Sequence, residues 1–420
     1  MLLPGRTLPL GPGTFRALRH RDFRLLWLGQ LVSLTGGWMQ SAAQGWLVLR
    51  LTDSALYLGV VGFCNFAPIL VGSLPAGVVA DRLDPRRTLL ALNALATLNA
   101  SALAVLTATG RINLPAVALI ALIGGSVSAF EIPVRQKFLL DLVGRDDLAN
   151  AIALNSLAFN GARLIGPSVA GVVLAAAGEA ACFAANAASF GAVLLGLFAL
   201  RTRPDRSAHG EESWTAGIRR GLAYARGSRR VRVLLALVIV SGLFGLPYNV
   251  LLPVFARDVL KVGESGLGFL MGASGLGAVI GALYLAGRTS HRRSGPVVAT
   301  AIALFGLGLI GLGLSRSFAL SLACLTVVGF AMIVQMATSN TLLQLNAPPE
   351  MRGRVVSLYL MAFAGSAPFG ALFGGALARA IGAPAAVIAG GTVCLAAAIW
   401  LFTRIPEMRR SAAAADETPR

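Results

Sequence analysis

The sequence predicts an all-α integral membrane protein with twelve transmembrane helices in two pseudo-symmetric six-helix halves and both termini cytoplasmic. Three observations carry this. First, the 420 residues are 56% hydrophobic and 13% charged, with a mean hydropathy of +0.74. A water-solvated domain has no use for that much apolar side chain. Second, twelve apolar runs occupy 24–49, 56–80, 88–109, 114–134, 149–177, 180–200, 233–256, 266–287, 296–314, 318–339, 354–381 and 384–403. Each is close to the ~20 residues that a helix needs to cross a bilayer. Third, basic residues are segregated. Segments on the N-terminal side of the runs hold 29 of the 36 Lys and Arg, whereas the opposite loops hold only Arg50, Arg111, Arg257, Lys261, Arg316 and Arg379. Positive loops stay in the cytoplasm, which places both termini there.

The net charge of +18 is therefore a topology signal and an attraction to anionic lipid. The bilayer, not nucleic acid, is the expected partner. Residues 1–23 read as a cytoplasmic N-terminal segment, 24–200 as the first half, 201–232 as a cytoplasmic linker, 233–403 as the second half and 404–420 as a tail. Met1 to Gly13 is rich in Pro and Gly, and a basic flank follows it, unlike a secretory signal. Within the linker, Ile218 to Ala225 reads as a short surface helix. The halves also look related. Gln136 to Gly178 and Thr341 to Gly382 each run from a polar stretch through an acid–arginine loop into a long span with a mid-span proline. Gly166-Pro167 and Ala367-Pro368 lie 201 residues apart, near half the chain, as a duplicated unit requires.

Enzyme chemistry has no foothold. Cys64, Cys182, Cys324 and Cys394 are isolated in apolar runs, and His20, His209 and His291 fall in polar loops. No run holds a nucleophile–base pair or a metal cluster, and no P-loop is present. The expectation is no catalytic residue, no metal and no cofactor.

Polar residues inside the spans mark candidate sites, because polar groups in lipid must face protein or a watery cavity. In the first span Ser33, Gly37, Gln40 and Gln44 recur at steps of 4, 3 and 4, one helical face. They read as cavity lining or as helix–helix hydrogen bonding. In the fifth span Ser156, Asn160, Arg163 and Pro167 share a face. Arg163 lies about 20 Å into its helix at 1.5 Å per residue, near the midplane. A cation there either binds an anionic or phenolate substrate or satisfies a carbonyl or acid at a packing site. Tyr248 and Asn249, between Pro247 and Pro253, stand where the seventh span bends, and Gln335 lies near the inner end of the tenth. Glycines at 268, 272, 275, 277 and 281 read as close helix packing first and hinge second.

The loop Gly77-Val-Val-Ala-Asp81-Arg82-Leu-Asp84-Pro85-Arg86-Arg87 resembles the signature loop between helices 2 and 3 of the major facilitator superfamily. Asp84-Pro85 stands where that pattern has one glycine, which predicts a loop longer by one residue. Phe15 to Gly59, Glu131 to Gly171, Pro247 to Pro253 and Asn340 to Leu360 are similar to the enterobactin-exporter-like and drug-exporter branch. The resemblance implies a secondary transporter that exports small amphipathic molecules by alternating access, driven by a proton gradient. Gly166-Pro167 with Gly171 loosely resembles the motif of antiporter helix 5. The resemblance also implies a gate: Asp81 against the start of the eleventh span, and Arg86 or Arg87 paired with Glu131, with Gly77 and Arg82 in the same loop. The alternatives are a narrow-specificity siderophore or lipid exporter, or a non-transporting membrane sensor. With 34 Arg against two Lys, the chain reads as the product of a GC-rich bacterial gene, hence a multi-pass protein of the inner membrane.

Overall fold

A computed structural model of the chain describes residues 15–201, 214–288 and 294–416. Among the described residues there are helices and no strand. In lipid only local backbone pairing leaves no N–H or C=O unsatisfied. After a 3-10 turn at Arg16–Arg19 come α1 (Arg21–Thr52), α2 (Ala55–Arg82), α3 (Pro85–Ala108) and α4 (Leu114–Phe198). Then follow α5 (Trp214–Gly227), α6 (Arg229–Val240), α7 (Tyr248–Val254), α8 (Gly263–Ala286), α9 (Ser294–Leu314), α10 (Phe318–Leu345), α11 (Arg352–Ile381) and α12 (Ala383–Asp416). The long α4 reverses twice, at Gly144 (φ 71°) and Gly178 (φ 77°), giving stretches 114–143, 145–177 and 179–198. Positive φ is easy only for glycine, so these two residues set the turns.

By length and composition, nine helical runs among the described residues can cross a membrane, with the whole of α4 counted as one and 229–259 as another. The chain is thus a multi-pass membrane protein. The helix α1 is outside that set, because Gln30, Ser33, Gln40 and Gln44 dilute its apolar content. Helices also overrun the expected limits. The first stretch of α4 continues to 143 instead of 134, and α10 to Leu345 instead of 339. A 28-residue helix is about 42 Å long, more than the ~30 Å hydrocarbon core, so its end stands clear of the bilayer.

The loop at Asp84-Pro85 is short. Only Leu83 and Asp84 separate α2 from α3. The Asp84 carboxylate accepts from the Arg87 amide at 3.0 Å and Pro85 opens the helix. The inserted residue is spent on an N-cap followed by a proline whose missing N–H costs nothing there. The expected surface helix at 218–225 is part of α5. Its Tyr224 hydroxyl donates to the Asn346 carbonyl at 2.9 Å, tying α5 to the end of α10. Residues 202–213 of the linker, with His209, and His291 lie outside the described residues.

The helices α1, α2 and α3 pack on α4, while α8, α9, α10 and α12 pack together with α11. These two groups meet where α2 lies on α11 and where α4 lies on α8. One end of the bundle carries Arg21, Asp84, Gly144 and Arg229, and is called here the near end. The far end carries Asp53, Gly178, Gly263 and Gly382. Buried apolar residues form one large cluster that draws on both halves and includes Leu47, Phe183, Tyr248, Phe255 and Phe305. Two smaller clusters lie at the near end. One, around Phe23, Phe138 and Leu197, is built from the first half alone, and the other, around Val231, Leu343 and Val355, from α5 and the second half.

Candidate substrate site

Arg163 is the centre of the site. It sits in the middle stretch of α4 and is 6% exposed. Two glycines bring neighbouring helices onto it. A Cβ on Gly166 would lie 2.7 Å from the Thr35 carbonyl of α1, and one on Gly275 would lie 2.7 Å from the Arg163 carbonyl itself. Its Nη2 donates to Ser274 Oγ of α8 at 3.1 Å, and Ser274 Oγ lies 2.8 Å from the Tyr248 hydroxyl of α7. Its guanidinium carbon stands 5.9 Å from the centre of the Trp38 ring. Among the described residues no carboxylate pairs with it. One hydrogen bond to a charged group contributes about 1.5–3 kcal/mol and a cation–π contact about 0.5–2 kcal/mol. An effective burial penalty of several kcal/mol per ion is of the same size or larger, so the cation is left short of a counter-charge.

A wall leads away from Arg163 toward the near end. Trp38 and Phe159 meet edge to face at 5.9 Å. Asn160 Nδ2 donates to the Ser156 carbonyl at 2.8 Å, and its Oδ1 is buried without a hydrogen-bond partner. Gly37 faces open space where a side chain would be. Arg163 and Phe159 thus both meet Trp38, the residue next to Gly37.

The rest of the α1 stripe divides. Gln40 Oε1 accepts from Asn186 Nδ2 at 2.7 Å, an interhelix bond to the last stretch of α4. Ser33 is buried, and Gln44 is buried with Nε2 unpartnered. Sequence reasoning missed Asn186 and Ser189. A Cβ on Gly36 would come within 2.7 Å of Asn186 Oδ1, so this helix pair is in tight contact. The available signal was a lone Asn and Ser in an alanine-rich run, opposite adjacent glycines.

In the second half Tyr248 is 1% exposed and Gln335 1% exposed. Gln335 Nε2 donates to Ser241 Oγ of the neighbouring helix at 2.6 Å. Both line spaces between helices, Tyr248 one with Phe244, Phe373 and Val387 and Gln335 a smaller one with Ser241 and Phe305, and each takes a neighbouring polar partner there. Asn249 is half-buried. Two π turns, Ser241–Gly245 and Phe255–Val259, flank α7, with the Leu246 amide bonded to the Ser241 carbonyl at 2.9 Å. Sequence reasoning foresaw a bend here but not its form; such bulges cluster at functional sites.

The expected gate pairing is also corrected. Glu131 pairs with Arg135 at 2.7 Å, one turn on in the same helix. Arg86 instead donates to the carbonyls of Leu197 and Phe198, both at 2.9 Å, closing the unsatisfied end of α4. The i,i+4 acid–base pair forms without ordering a loop, and a helix C-terminus favours a cation. Arg87 contributes its amide to the Asp84 cap. Gly77, Asp81 and Arg82 fall in the last turns of α2, and their side chains lie outside the described residues. No group of three metal-ligating side chains occurs among the described residues.

At the far end the two halves touch through backbone. A Cβ on Gly59 of α2 would lie 2.5 Å from the Ala371 carbonyl of α11, and one on Gly375 2.7 Å from the Ala55 carbonyl. The other seam is built alike: Gly268 of α8 and Gly171 of α4 lie against each other's Cα atoms. Arg257 closes the edge, pairing with Asp53 and Asp258 and donating to the Leu49 carbonyl at 3.3 Å.

Comparison with known proteins agrees with this architecture. Residues 12–419 match the model of a family described as transmembrane secretion effector. The staphyloferrin A transporter of Staphylococcus aureus is 29% identical over 342 residues, 80% of this chain and 84% of that protein. The multidrug efflux pump Tap of Mycolicibacterium fortuitum is 28% identical over 87% of this chain and 91% of that protein. The enterobactin exporter EntS of Escherichia coli is 27% identical over 93% of each. Among solved structures, the nucleoside transporter NupG superposes with a TM-score of 0.72, covering 91% of this chain and 98% of that one at 14% identity, a likeness of fold. The match spans nearly every residue of a multi-pass bacterial inner-membrane protein, and the chain belongs to the transmembrane secretion effector family of major facilitator superfamily transporters.

Proposed function

We propose that this chain exports small amphipathic molecules of the drug or siderophore class by alternating access. The fold would cross the membrane twelve times with both termini in the cytoplasm, so that the near end faces inward. The observation that carries the reading is the position of Arg163: a buried cation without a carboxylate partner among the described residues, at the junction of α1, α4 and α8, just inside the far-end seam. That is where a transporter of two pseudo-symmetric halves binds its substrate, near the midplane and between repeats. Gly37, Trp38 and Asn160 line the approach. Gln40, Gln44, Tyr248 and Gln335 fix the helices around it. Asp81, Arg82 and Glu131 form the near-end gate. The staphyloferrin A and enterobactin relatives support a siderophore-like substrate, and the multidrug pump Tap a drug-like one.

Proton antiport is the proposed energy source. Of the described acids, Asp22 with Arg21 and Glu179 with Arg50 stand at helix ends, and Glu131 with Arg135 lies inside the first stretch of α4. Efflux from proteoliposomes, with and without an imposed pH gradient, tests the reading with a panel of dyes and siderophores. Efflux that follows the gradient supports exporter and coupling together. Efflux indifferent to the gradient removes the coupling and keeps the exporter. No efflux of any compound overturns the exporter.

A further inference from the structure

We propose that Arg163 anchors an anionic group of the substrate, and that the anion takes the guanidinium away from Ser274 and so unlatches the far-end seam. This rests on the exporter reading above and names both its substrate class and its trigger.

The geometry gives Arg163 two faces. On one side it reaches across the junction of the halves to Ser274, itself bonded to Tyr248. Ser274 lies one residue before Gly275, whose missing side chain lets α8 lie on the Arg163 backbone. The hydrogen bond is thus part of the seam. On the other side stand the Trp38 ring, Phe159 (46% exposed) and the unpartnered Asn160 Oδ1. This is an aromatic corner, its two rings 65° apart, with a cation at its inner end and an acceptor beside it. A planar aromatic acid, such as a carboxylate or phenolate with a neighbouring hydroxyl, fits that set. Its anion meets the guanidinium, its ring stacks on one wall of the corner with its edge toward the other, and its hydroxyl donates to Asn160.

A neutral serine oxygen is a weaker acceptor for a guanidinium than an anion. An arriving anion therefore wins Arg163, and the seam loses its one described polar tie at this depth. The remaining described far-end ties are the Arg257 pairs, the Ser265 hydroxyl on the Gly171 carbonyl at 3.4 Å and close glycine contacts. A ligand moves a two-state equilibrium only by its differential affinity. Ser274 takes one of the five guanidinium N–H groups, and an anion seated on the Trp38 side draws the guanidinium off that single bond, so the state that has released α8 holds the anion more tightly. No buried carboxylate is needed for this step, and no proton moves in it.

The test uses the full chain in proteoliposomes. Spin labels go on Tyr57→Cys and Ile381→Cys, both exposed at the far end in opposite halves, with Cys64, Cys182, Cys324 and Cys394 replaced by serine. The probes are carboxyfluorescein, an aromatic anion, and ethidium, an aromatic cation. Double electron–electron resonance reads the label distance, and dye flux is followed alongside. The expected result is a longer distance with carboxyfluorescein and no change with ethidium. Arg163→Gln should abolish the anion response and raise half-saturation for the anion about tenfold to a hundredfold, the range for losing a charge-assisted hydrogen bond. Ser274→Ala should lengthen the distance with no dye present. If Arg163→Gln does not fold, the dye selectivity of the parent and the Ser274→Ala distance still decide.

The proposal is overturned if ethidium opens the far end as well as the anion does, if Arg163→Gln responds to the anion normally, or if Ser274→Ala keeps the resting distance. Ethidium flux untouched by Arg163→Gln, without any anion response, overturns this inference and leaves the exporter standing. An anion-dependent opening with no flux of either dye supports the anion latch and overturns the exporter. Silence of both dyes in both readouts overturns both.

Discussion

The far end of the molecule is held by backbone laid against glycine across the two halves; the near end is held by side chains reaching for partners inside one half. At the far end Gly59 faces Gly375 and Gly171 faces Gly268, and one apolar cluster draws on both halves. At the near end Arg86 closes α4, Arg201 donates its amide to Asp22 at 2.9 Å, and Trp27 donates to the Leu154 carbonyl at 3.0 Å, all within the first half. Tyr224 and Arg230 reach Asn346 within the second. The near-end apolar clusters are separate, one per half. Apart from the Arg257–Asp53 pair at its exposed edge, the described seam is largely close glycine contact, which can part and re-form as a surface. Ends that are capped within each half can move as rigid bodies. The contrast is that of a molecule built to separate in two pieces.

The largest effect should come from filling the seam. Gly275→Leu puts a side chain where even a Cβ would meet backbone at 2.7 Å. Overpacking of this kind costs about 1–3 kcal/mol, and more where backbone must shift. The expected outcome is a lower melting temperature in detergent and loss of efflux. Gly161→Ala is the contrast, a helical glycine of the same α4 stretch with open space at Cβ. Alanine is favoured over glycine in a helix by ~1 kcal/mol, so this variant should melt at the same temperature or higher. If both glycines tolerate substitution alike, the seam is not where the halves are held.

The near-end caps come next. Arg86→Ala leaves the Leu197 and Phe198 carbonyls without their donor, at an expected cost of about 0.5–2 kcal/mol. Asp84→Ala removes an N-cap worth about 1 kcal/mol. Hydrogen exchange should show the loosening inside the first half alone, around 83–90 and 190–201, with α8 to α12 unchanged. Spread into the second half would contradict independent near ends. Smaller still is Asp53→Asn. The Arg257 pair is partly exposed, and such pairs contribute about 0–1 kcal/mol. Asp53 has φ 50°, a conformation Asn also accepts, so the substitution tests the charge without straining the backbone. A label distance across the far end should lengthen slightly, if at all.

How much of this was legible in the sequence follows from the kind of signal each feature leaves. Helix-forming runs, their number of apolar residues and the buried Arg163 are local facts of composition. The glycines of α8 were legible as packing residues because five fall close together, but their division into two faces was not. Gly268, Gly272 and Gly275 meet α4, whereas Gly277 and Gly281 meet α10. Gly59 and Gly375 gave no signal, since one glycine per helix is ordinary until its partner is known. The Glu131 pairing failed because it was carried from a family pattern, while Arg135 stood four residues away. Tyr248 and Gln335 were legible as polar residues in apolar spans, which says only that each needs a partner; that the partners are Ser274 and Ser241 was not legible.

The smallest effect concerns acid and the near end of the first half. The Asp147 carboxylate takes His20 Nε2 at 2.8 Å and also pairs with Arg16, anchoring the 3-10 turn to the start of the middle stretch of α4. The His20 bond first, then the Arg16 bond, hold its carboxyl below the usual carboxylate range. A depressed folded value means that the anchor's contribution is fully present above the unfolded value of about 3.9 and fades only as pH falls through the lower folded one. Between pH 7 and 5 the protection of 15–24 against hydrogen exchange, corrected for intrinsic rate, should therefore not depend on this group. Asp147→Asn should lower that protection at pH 7 and abolish any further loss in strong acid. A wild-type chain that releases the turn already near pH 5, in step with Asp147 taking up a proton, would show that the carboxyl is not held down. It would also show that the turn at Arg16–Arg19 is held more loosely than its bonds imply.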